Sequence, residues 1–165
     1  MRQHFPALRE LTPLDVPAIR ALNNSATPAV PVATDAELRA LLEASTFGFA
    51  AVVDDELVGF IIGFGPGSDY ASPNYRYFEE RGSDHLYVDR IVVAEEARGM
   101  RIGQTLYERV ADLAIGQGRV EVTCEVNLDP PNPASLAFHR RLGFHEVGQQ
   151  KTDYATVALL ARPLA

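Results

Sequence analysis

The spacing of apolar side chains changes sharply near residue 94, and this change marks the central feature of the chain. Leu86–Val93 is apolar and β-branched with few polar interruptions, as expected of a strand buried on both faces. Charged residues and a glycine interrupt the pattern over residues 94–100. From residue 101 onward apolar side chains recur at helical spacing, at Ile102, Leu106, Val110 and Leu113. The pattern therefore predicts a strand, a turn and a helix in succession.

The preceding part of the chain is predicted to hold a strand, two helices and a hairpin. The strand is Ala7–Leu11, and a Thr-Pro pair at residues 12 and 13 begins the first helix. A capping-box pattern from Thr34 to Glu37 opens the second helix. Two apolar runs separated by three acidic residues indicate the hairpin, at Phe47–Val53 and Leu57–Phe64.

The segment Gly65–Gly82 is rich in turn-forming residues and is predicted to be a long loop. Its aromatic side chains argue against disorder, and they are Tyr70, Tyr75, Tyr77 and Phe78. Long loops within compact domains are usually functional, so we expect a lid or the wall of a substrate pocket. The alternative is that the aromatic side chains only anchor the loop to the core.

The C-terminal part is predicted to hold a strand, a helix and two further strands. The strand Val120–Val126 is followed by a proline-rich linker, and Asn132 caps a helix that glycine at position 143 ends. The last strands are predicted at Phe144–Gly148 and Asp153–Leu160. The order β-α-α-β-β-β-α-β-α-β-β predicts one domain over residues 1–165. Its fold class is α+β, an α/β/α sandwich around a mixed, mostly antiparallel sheet.

Composition narrows the classes of function. A net charge of −7 argues against a nucleic-acid partner; it is compatible with a cationic small substrate, although solubility explains it equally well. With Cys124 as the single cysteine, no intrachain disulfide forms, which favours the reducing cytoplasm. No apolar run is long enough to span a membrane, so no membrane partner is expected. Histidines 4, 85, 139 and 145 lack the spacing of metal ligands, and no metal is expected.

The turn between the central strand and helix has the features of an anion site. Two glycines, Gly99 and Gly103, lie at a helix start, where amide groups lack helical partners and the helix dipole is positive. Two arginines, Arg98 and Arg101, add positive charge. This combination points to a phosphate or pyrophosphate ligand.

This turn resembles motif A of the GNAT superfamily of acyl-CoA-dependent N-acyltransferases, which reads Arg/Gln-x-x-Gly-x-Gly/Ala. Arg98 and Gly103 match the pattern, whereas Arg101 replaces the middle glycine. A positive φ at Arg101 is expected to cost about 1 kcal/mol. A second stretch, from Asn132 through Phe138 to the Gly-Phe pair at residues 143 and 144, resembles motif B. The two motifs together cover residues 85 to 148.

The resemblance implies the acyl-CoA N-acyltransferase fold, in which the fourth and fifth strands splay apart and acetyl-CoA binds between them. Pantetheine would pair with main-chain groups of Ile91, Val92 and Val93. The pyrophosphate would bind the turn residues Arg98, Gly99, Met100, Arg101, Ile102, Gly103 and Gln104. Asn132 and Phe138 match motif B and would reach the pantetheine region. Alternatively Asn132 only caps its helix and Phe138 belongs to the core.

The catalytic residues implied by the resemblance depart from the family's usual ones. His139 stands where the family usually has a tyrosine that protonates the thiolate of CoA, and it is either that acid or a surface histidine. Tyr87 occupies the position of a carboxylate base but is a poor base at neutral pH. Asp89 shares the strand face of Tyr87 and is the first candidate for the base, although an ion pair with Arg90 is an alternative. Glu125, on the adjacent strand, is the second.

The predicted activity is transfer of an acetyl group from acetyl-CoA to a primary amine of a small molecule or amino acid, directly in a ternary complex. The alternatives are a non-catalytic acyl-CoA-binding or sensor domain and a peptide N-terminal acetyltransferase. The resemblance is compatible with a homodimer, since dimers are common in the family. The candidate substrate-binding residues are Asn23, Asn24, Tyr70, Tyr75, Tyr77 and Phe78, with Tyr87 beside them.

Overall fold

The computed structural model describes residues 5–164, which form seven strands and five helices. The strands are β1 (Ala7–Glu10), β2 (Phe47–Val53), β3 (Glu56–Phe64), β4 (His85–Val93), β5 (Glu121–Asp129), β6 (His145–Lys151) and β7 (Thr156–Pro163). The helices are α1 (Val16–Ser25), α2 (Asp35–Ala44), α3 (Pro73–Arg81), α4 (Ile102–Gly116) and α5 (Pro133–Arg141). Short 3-10 turns at Pro13–Asp15 and Glu95–Ala97 precede α1 and α4.

The strands form one sheet in the order β1-β2-β3-β4-β5-β7-β6. The pairings β1–β2, β2–β3, β5–β7 and β6–β7 are antiparallel, and β4–β5 is parallel. The register of the parallel pair runs only from His85–Glu121 to Tyr87–Thr123. The predicted mixed, mostly antiparallel sheet is confirmed, and the short parallel register agrees with the splaying expected of the fourth and fifth strands.

The described chain divides into two compact units. The first comprises the residues up to Gly63 together with Arg90–Arg109, and the second comprises Phe64–Asp89 together with the residues from Val110 onward. Strand β4 and helix α4 each contribute residues to both units. That residues 1–165 form a single domain stays a prediction.

The core of the first unit is built from the apolar faces of α1, α2 and the first strands. Val16 and Ile19 of α1 and Leu38 of α2 are buried in one cluster with Phe60 and Ile62 of β3. Each such side chain contributes about 1.5–3 kcal/mol by leaving water. The helical spacing of the apolar residues is therefore what attaches α1 and α2 to the sheet.

The core of the second unit is aromatic where α3 meets β4. Tyr75 and Phe78 of α3 are buried, and their ring centroids lie 5.5 Å and 5.9 Å from that of Tyr87 on β4. Leu159 and Leu160 of β7 are also buried in this unit. Such tilted aromatic contacts favour a fixed arrangement of the helix on the strand.

The prediction that Gly65–Gly82 is a loop throughout is wrong, because nine of its residues form α3. The side chain of Ser72 accepts a hydrogen bond from the amide of Tyr75, and proline occupies the first helical position. Gly82 ends the helix at φ 78°. These are ordinary start and stop signals of a helix, and the interpretation of Gly and Pro as loop residues overlooked them.

The other predicted elements are confirmed with shifted ends. Thr34 Oγ1 accepts from the Glu37 amide and the Glu37 carboxylate accepts from the Thr34 amide, which is the predicted capping box. The last strand is displaced by three residues at each end, to Thr156–Pro163. Within residues 5–164, no helix is long and apolar enough to cross a membrane.

Gly59 on β3 lies where α4 approaches the strand, and its lack of a side chain is a packing requirement. A Cβ there would lie 2.8 Å from Cγ2 of Ile102 and 3.2 Å from the carbonyl oxygen of Val92. Because the backbone oxygen can move only if β4 moves, we expect Gly59→Ala to lower the free energy of unfolding by about 1–3 kcal/mol. Denaturation by urea measures this change.

Gly116→Ala is the matched control, because a Cβ at this end of α4 meets no atom within 4 Å. We expect it to leave stability unchanged or to raise it slightly. Equal stabilities of the two alanine variants would contradict the packing requirement at Gly59.

Candidate active site

The turn between β4 and α4 in the first unit adopts two left-handed backbone conformations. β4 ends at Val93, and after the 3-10 turn Gly99 has φ 91° and Arg101 has φ 58°. Arg101 therefore adopts the positive φ for which an energetic cost is expected from the sequence. Glycine adopts this region freely, whereas an arginine there costs about 1–2 kcal/mol.

The geometry of this turn leaves helix α4 with available amide groups. The first helical hydrogen bond runs from the Thr105 amide to the Arg101 carbonyl at 3.0 Å. The amides of Ile102, Gly103 and Gln104 precede it and have no acceptor within the helix. Their positive ends lie at the helix N-terminus, where an anion is stabilised.

The turn is accessible from solvent, as a site that binds a pyrophosphate must be. Arg98, Gly99 and Arg101 are exposed. A Cβ built on Gly99 would meet no atom within 4 Å. The residues present thus offer amides, two guanidinium groups and space, the donor set that a pyrophosphate requires.

The other cofactor candidates of this unit lie on the last part of β4. Ile91 and Val93 are half-buried, and Val92 is buried. The strand is held there by a hydrogen bond from the Ala94 amide to the Val58 carbonyl at 2.7 Å. These residues form the end of β4, and their pairing with pantetheine stays a prediction.

The candidate substrate residues of α1 are engaged within the first unit. Asn23 is fully buried, donates to the Pro31 carbonyl at 2.9 Å and accepts from Arg90 at 3.0 Å. The amide of Asn24 both donates to the Ala33 carbonyl and accepts from the Ala33 amide, each at 3.0 Å. These contacts tie the loop after α1 to the helix, a structural role that the sequence did not indicate.

In the second unit Tyr87 and Glu125 form a close pair. The Tyr87 hydroxyl donates to the Glu125 carboxylate, with oxygen–oxygen distances of 2.7 Å and 2.9 Å. Burial, together with the charges of Glu125 and Asp89, raises the pKa of Tyr87 well above its ordinary value. Tyr87 therefore remains a neutral hydrogen-bond donor at any ordinary pH.

Asp89 lies on the same face of β4 and is paired with a second tyrosine. The hydroxyl of Tyr70 donates to the Asp89 carboxylate. The ring of Tyr70 stacks on Phe64 with a centroid separation of 4.0 Å and an interplanar angle of 12°. Asp89 and Tyr70 are both half-buried, so this carboxylate keeps contact with solvent.

The remaining aromatic candidates are mostly anchors. Phe78 is fully buried, and Tyr75 is buried with its hydroxyl donating to the Gly65 carbonyl at 2.7 Å. Tyr77 donates to the Val147 carbonyl at 3.1 Å. The alternative that aromatics hold the loop to the core therefore describes these three residues, while Tyr70 stays partly exposed.

His139 on α5 is buried, so the alternative of a surface histidine is wrong. Burial lowers the pKa of His139, and the hydrogen bond to the Ser135 carbonyl, at 2.7 Å from Nδ1, only partly offsets this. The neutral ring consequently carries its proton on Nδ1, and Nε2 is left as an acceptor. Asn132 caps α5 by accepting from the Ser135 amide at 3.3 Å, and the half-buried Phe138 ring packs edge-on against His139.

One polar group was missed from the sequence. His85 at the start of β4 is fully buried and contacts Thr123 Oγ1 through Nδ1 at 2.9 Å and Glu79 Oε1 through Nε2 at 2.8 Å. The position of His85 beside the buried run from Leu86 was the available signal. Glu79 could be found only with α3 recognised.

The single cysteine lies in the interior of the sheet. Cys124 on β5 is 2% exposed, in agreement with the interpretation of a buried thiol. Among the described residues, no group of three or more His, Cys, Asp or Glu side chains is arranged to hold a metal ion. His4, which was considered with the other histidines, lies outside the described residues.

The conformation of Arg101 makes a specific stability prediction. Arg101→Gly should raise the free energy of unfolding by up to about 1 kcal/mol, because it removes the left-handed penalty while adding freedom to the unfolded chain. Arg98→Gly is the control, since Arg98 has φ −62° and should lose about 0.5–1 kcal/mol. Urea denaturation measures the free energy of unfolding of both variants. Equal losses of stability in the two variants would contradict backbone strain at Arg101.

Several solved structures have the same fold as this chain. Ard1 from Thermoplasma volcanium aligns with a TM-score of 0.77 and 20% identity over 97% of this chain and 98% of its own. The putative acetyltransferase yncA from Salmonella typhimurium, solved with its cofactor acetyl-CoA, gives 0.71 and 18% over 97% and 94%. Arabidopsis thaliana Naa50, in complex with the bisubstrate analogue CoA-Ac-MVNAL, gives 0.73 and 18% over 95% and 97%.

The sequence comparison identifies the family. A search of curated protein sequences finds no match. The family description "Acetyltransferase (GNAT) family" matches residues 16–144, which is most of the chain and includes both motifs. The chain therefore belongs to the GNAT family of acyl-CoA-dependent N-acetyltransferases.

Proposed function

We propose that the protein transfers the acetyl group of acetyl-CoA to a primary amine of a small molecule or amino acid, directly within a ternary complex. The observation that carries the proposal is the open turn before α4, with three amides at a helix N-terminus and two exposed arginines beside them. Acetyl-CoA supplies the acetyl group as a thioester. The amides and the guanidinium groups of Arg98 and Arg101 would hold its pyrophosphate.

Direct transfer is favoured over a covalent acetyl-enzyme. A thiol nucleophile must be accessible and deprotonated, and Cys124 is buried within β5. The amine itself then attacks the thioester carbonyl, the carbon–sulfur bond breaks and CoA leaves as a thiolate. A thiol with a pKa of about 8.5 leaves without much acid assistance.

Asp89 is assigned as the base that takes the proton of the amine, either directly or through a water molecule. Its carboxylate is half-buried and its hydrogen-bond donor, Tyr70, is also partly exposed. Glu125 is the second candidate. Both of its oxygens accept from the buried Tyr87 hydroxyl, whereas Tyr70 contacts Asp89 through Oδ1.

The proposed role of His139 depends on which of its ring nitrogens carries the proton. With Nδ1 bonded to the Ser135 carbonyl and the pKa lowered by burial, Nε2 of the neutral ring accepts rather than donates. A thiolate needs a donor, so the acid role predicted for His139 has the weakest support among the catalytic assignments. We propose that it holds the N-terminal turn of α5 in shape while the thiolate takes its proton from solvent.

The acceptor amine is the less defined substrate. The exposed part of Tyr70 and the carboxylate of Asp89 suit a small cationic amine by hydrogen bonding and cation–π contact. The peptide N-terminus is the second candidate, because the structurally similar Naa50 was solved with a peptide-based bisubstrate analogue. That the protein is cytoplasmic stays a prediction, which rests on its single cysteine. That it forms a homodimer also stays a prediction.

Binding of the acetyl donor is the first test. Calorimetric titration should give saturable binding of acetyl-CoA and CoA to the wild type, and about tenfold weaker binding to Arg98→Ala through loss of a charge-assisted contact. Arg39→Ala on the exposed side of α2 is the matched control and should bind as the wild type does. Lack of binding to the wild type would contradict the donor site.

The base assignment predicts a kinetic result. Asp89→Asn should lower kcat by about 10²- to 10⁴-fold while leaving the affinity for acetyl-CoA unchanged, because only the proton acceptor is removed. CoA release measured over a panel of small amines, amino acids and peptides identifies the acceptor. A larger loss in Glu125→Gln than in Asp89→Asn would transfer the assignment to Glu125.

The same assay separates the enzyme from a sensor. An acyl-CoA-binding domain without activity would bind acetyl-CoA in the calorimeter and release no CoA with any amine of the panel. That result would contradict the proposed transfer and leave the donor site standing.

A further inference from the structure

His85 connects three elements of the second unit through a buried imidazole. Its side chain has no exposed surface, and its two ring nitrogens contact Thr123 on β5 at 2.9 Å and Glu79 on α3 at 2.8 Å. A buried polar ring is stable only when both nitrogens have partners. The partners of His85 therefore fix Glu79 relative to β4.

Glu79 uses its second oxygen to hold the loop that follows β3. Oε2 accepts from the Gly67 amide at 2.9 Å, while Oε1 contacts His85. Burial works against the charged form, but the hydrogen bonds from Gly67 and His85 outweigh it and keep the pKa of Glu79 below its usual range. The charged carboxylate thus joins the loop to the imidazole.

The loop held in this way also carries Tyr70. Residues on both sides of Gly67 are fixed by Tyr75, whose hydroxyl accepts from the Ser68 amide at 3.0 Å and donates to the Gly65 carbonyl at 2.7 Å. Gly67 itself has φ +77°, which makes the turn sharp. The hydroxyl of Tyr70 then reaches the Asp89 carboxylate.

We propose that Glu79, held by His85, is a positioning residue that places the Tyr70 hydroxyl on the Asp89 carboxylate. The proposal rests on the proposed function, in which Asp89 takes the proton of the amine. Glu79 acts through its hydrogen bond with the Gly67 amide and through the loop that carries Tyr70.

The consequence is a link between a remote carboxylate and the orientation of the base. A phenol that donates to a carboxylate fixes the orientation of that carboxylate, so a displaced Tyr70 leaves Asp89 less well aligned with the amine. The value of kcat should therefore fall, while the KM for acetyl-CoA, whose proposed site is the turn before α4, should stay unchanged.

The test compares kcat and KM for Tyr70→Phe, Glu79→Ala and the double variant with one amine throughout. We expect Tyr70→Phe to lower kcat about 3- to 10-fold through loss of one hydrogen bond to the base. Glu79→Ala should also lower kcat without changing the KM for acetyl-CoA, and the double variant should lose no more than Tyr70→Phe alone. Glu79→Gln keeps an acceptor for the Gly67 amide and should restore most of the wild-type kcat.

Two further measurements identify the route of the effect. Hydrogen exchange at the Gly67 and Ser68 amides should accelerate in Glu79→Ala and remain unchanged in Glu80→Ala, the matched control one residue along the exposed side of α3. Thermal unfolding shows that each variant is assayed while folded.

The outcomes separate this inference from the proposed function. Loss of kcat in Asp89→Asn together with a wild-type kcat in Glu79→Ala would overturn the inference and leave Asp89 as the base. Wild-type activity of Asp89→Asn would overturn both. Additive losses of kcat in the double variant would also overturn the inference, because they would show that Glu79 acts independently of Tyr70.

Discussion

The buried imidazole of His85 is the constraint on which the second unit depends. Removing either partner from a buried polar group costs about 1–3 kcal/mol, so Thr123 and Glu79 must keep their places together. Because these partners belong to β5 and α3, the requirement determines where the helix lies against the strands. The aromatic contacts of Tyr75 and Phe78 with Tyr87 then fill the space that the hydrogen bonds define.

Two tyrosines and two carboxylates form hydrogen-bonded pairs around β4. Tyr87 is buried, permanently protonated and bonded to both oxygens of the half-buried Glu125. Tyr70 and Asp89 are both half-buried, and Tyr70 contacts Asp89 through Oδ1. The different burial of the two tyrosines and their different contacts with the carboxylates are the physical reason for the different catalytic roles that we propose for the two pairs.

The turn between β4 and α4 keeps its backbone hydrogen-bond donors although Arg101 stands where the family has a glycine. An amide donates a hydrogen bond regardless of which side chain its residue carries, so Arg101 in place of the family's glycine leaves the donors of the turn intact. The cost is the left-handed conformation at φ 58°. A second guanidinium beside the proposed pyrophosphate site is the gain that accompanies that cost.

The sequence alone determined most of the local structure, since apolar spacing, capping residues and proline positions act over a few residues. It gave the strand, turn and helix around Gly99, the capping box at Thr34 and the two motifs that identify the family. It does not identify α3, because Ser72, Pro73 and Gly82, which start and stop this helix, are equally typical of loops.

Only the tertiary structure decided which side chains meet. Thr123 contacts His85 and Tyr87 donates to Glu125 across 38 positions of the chain, and Tyr70 donates to Asp89 across 19. Hydrogen-bond partners and burial depend on residues far apart in the chain, and a pattern with a period of two or four residues carries no information about them.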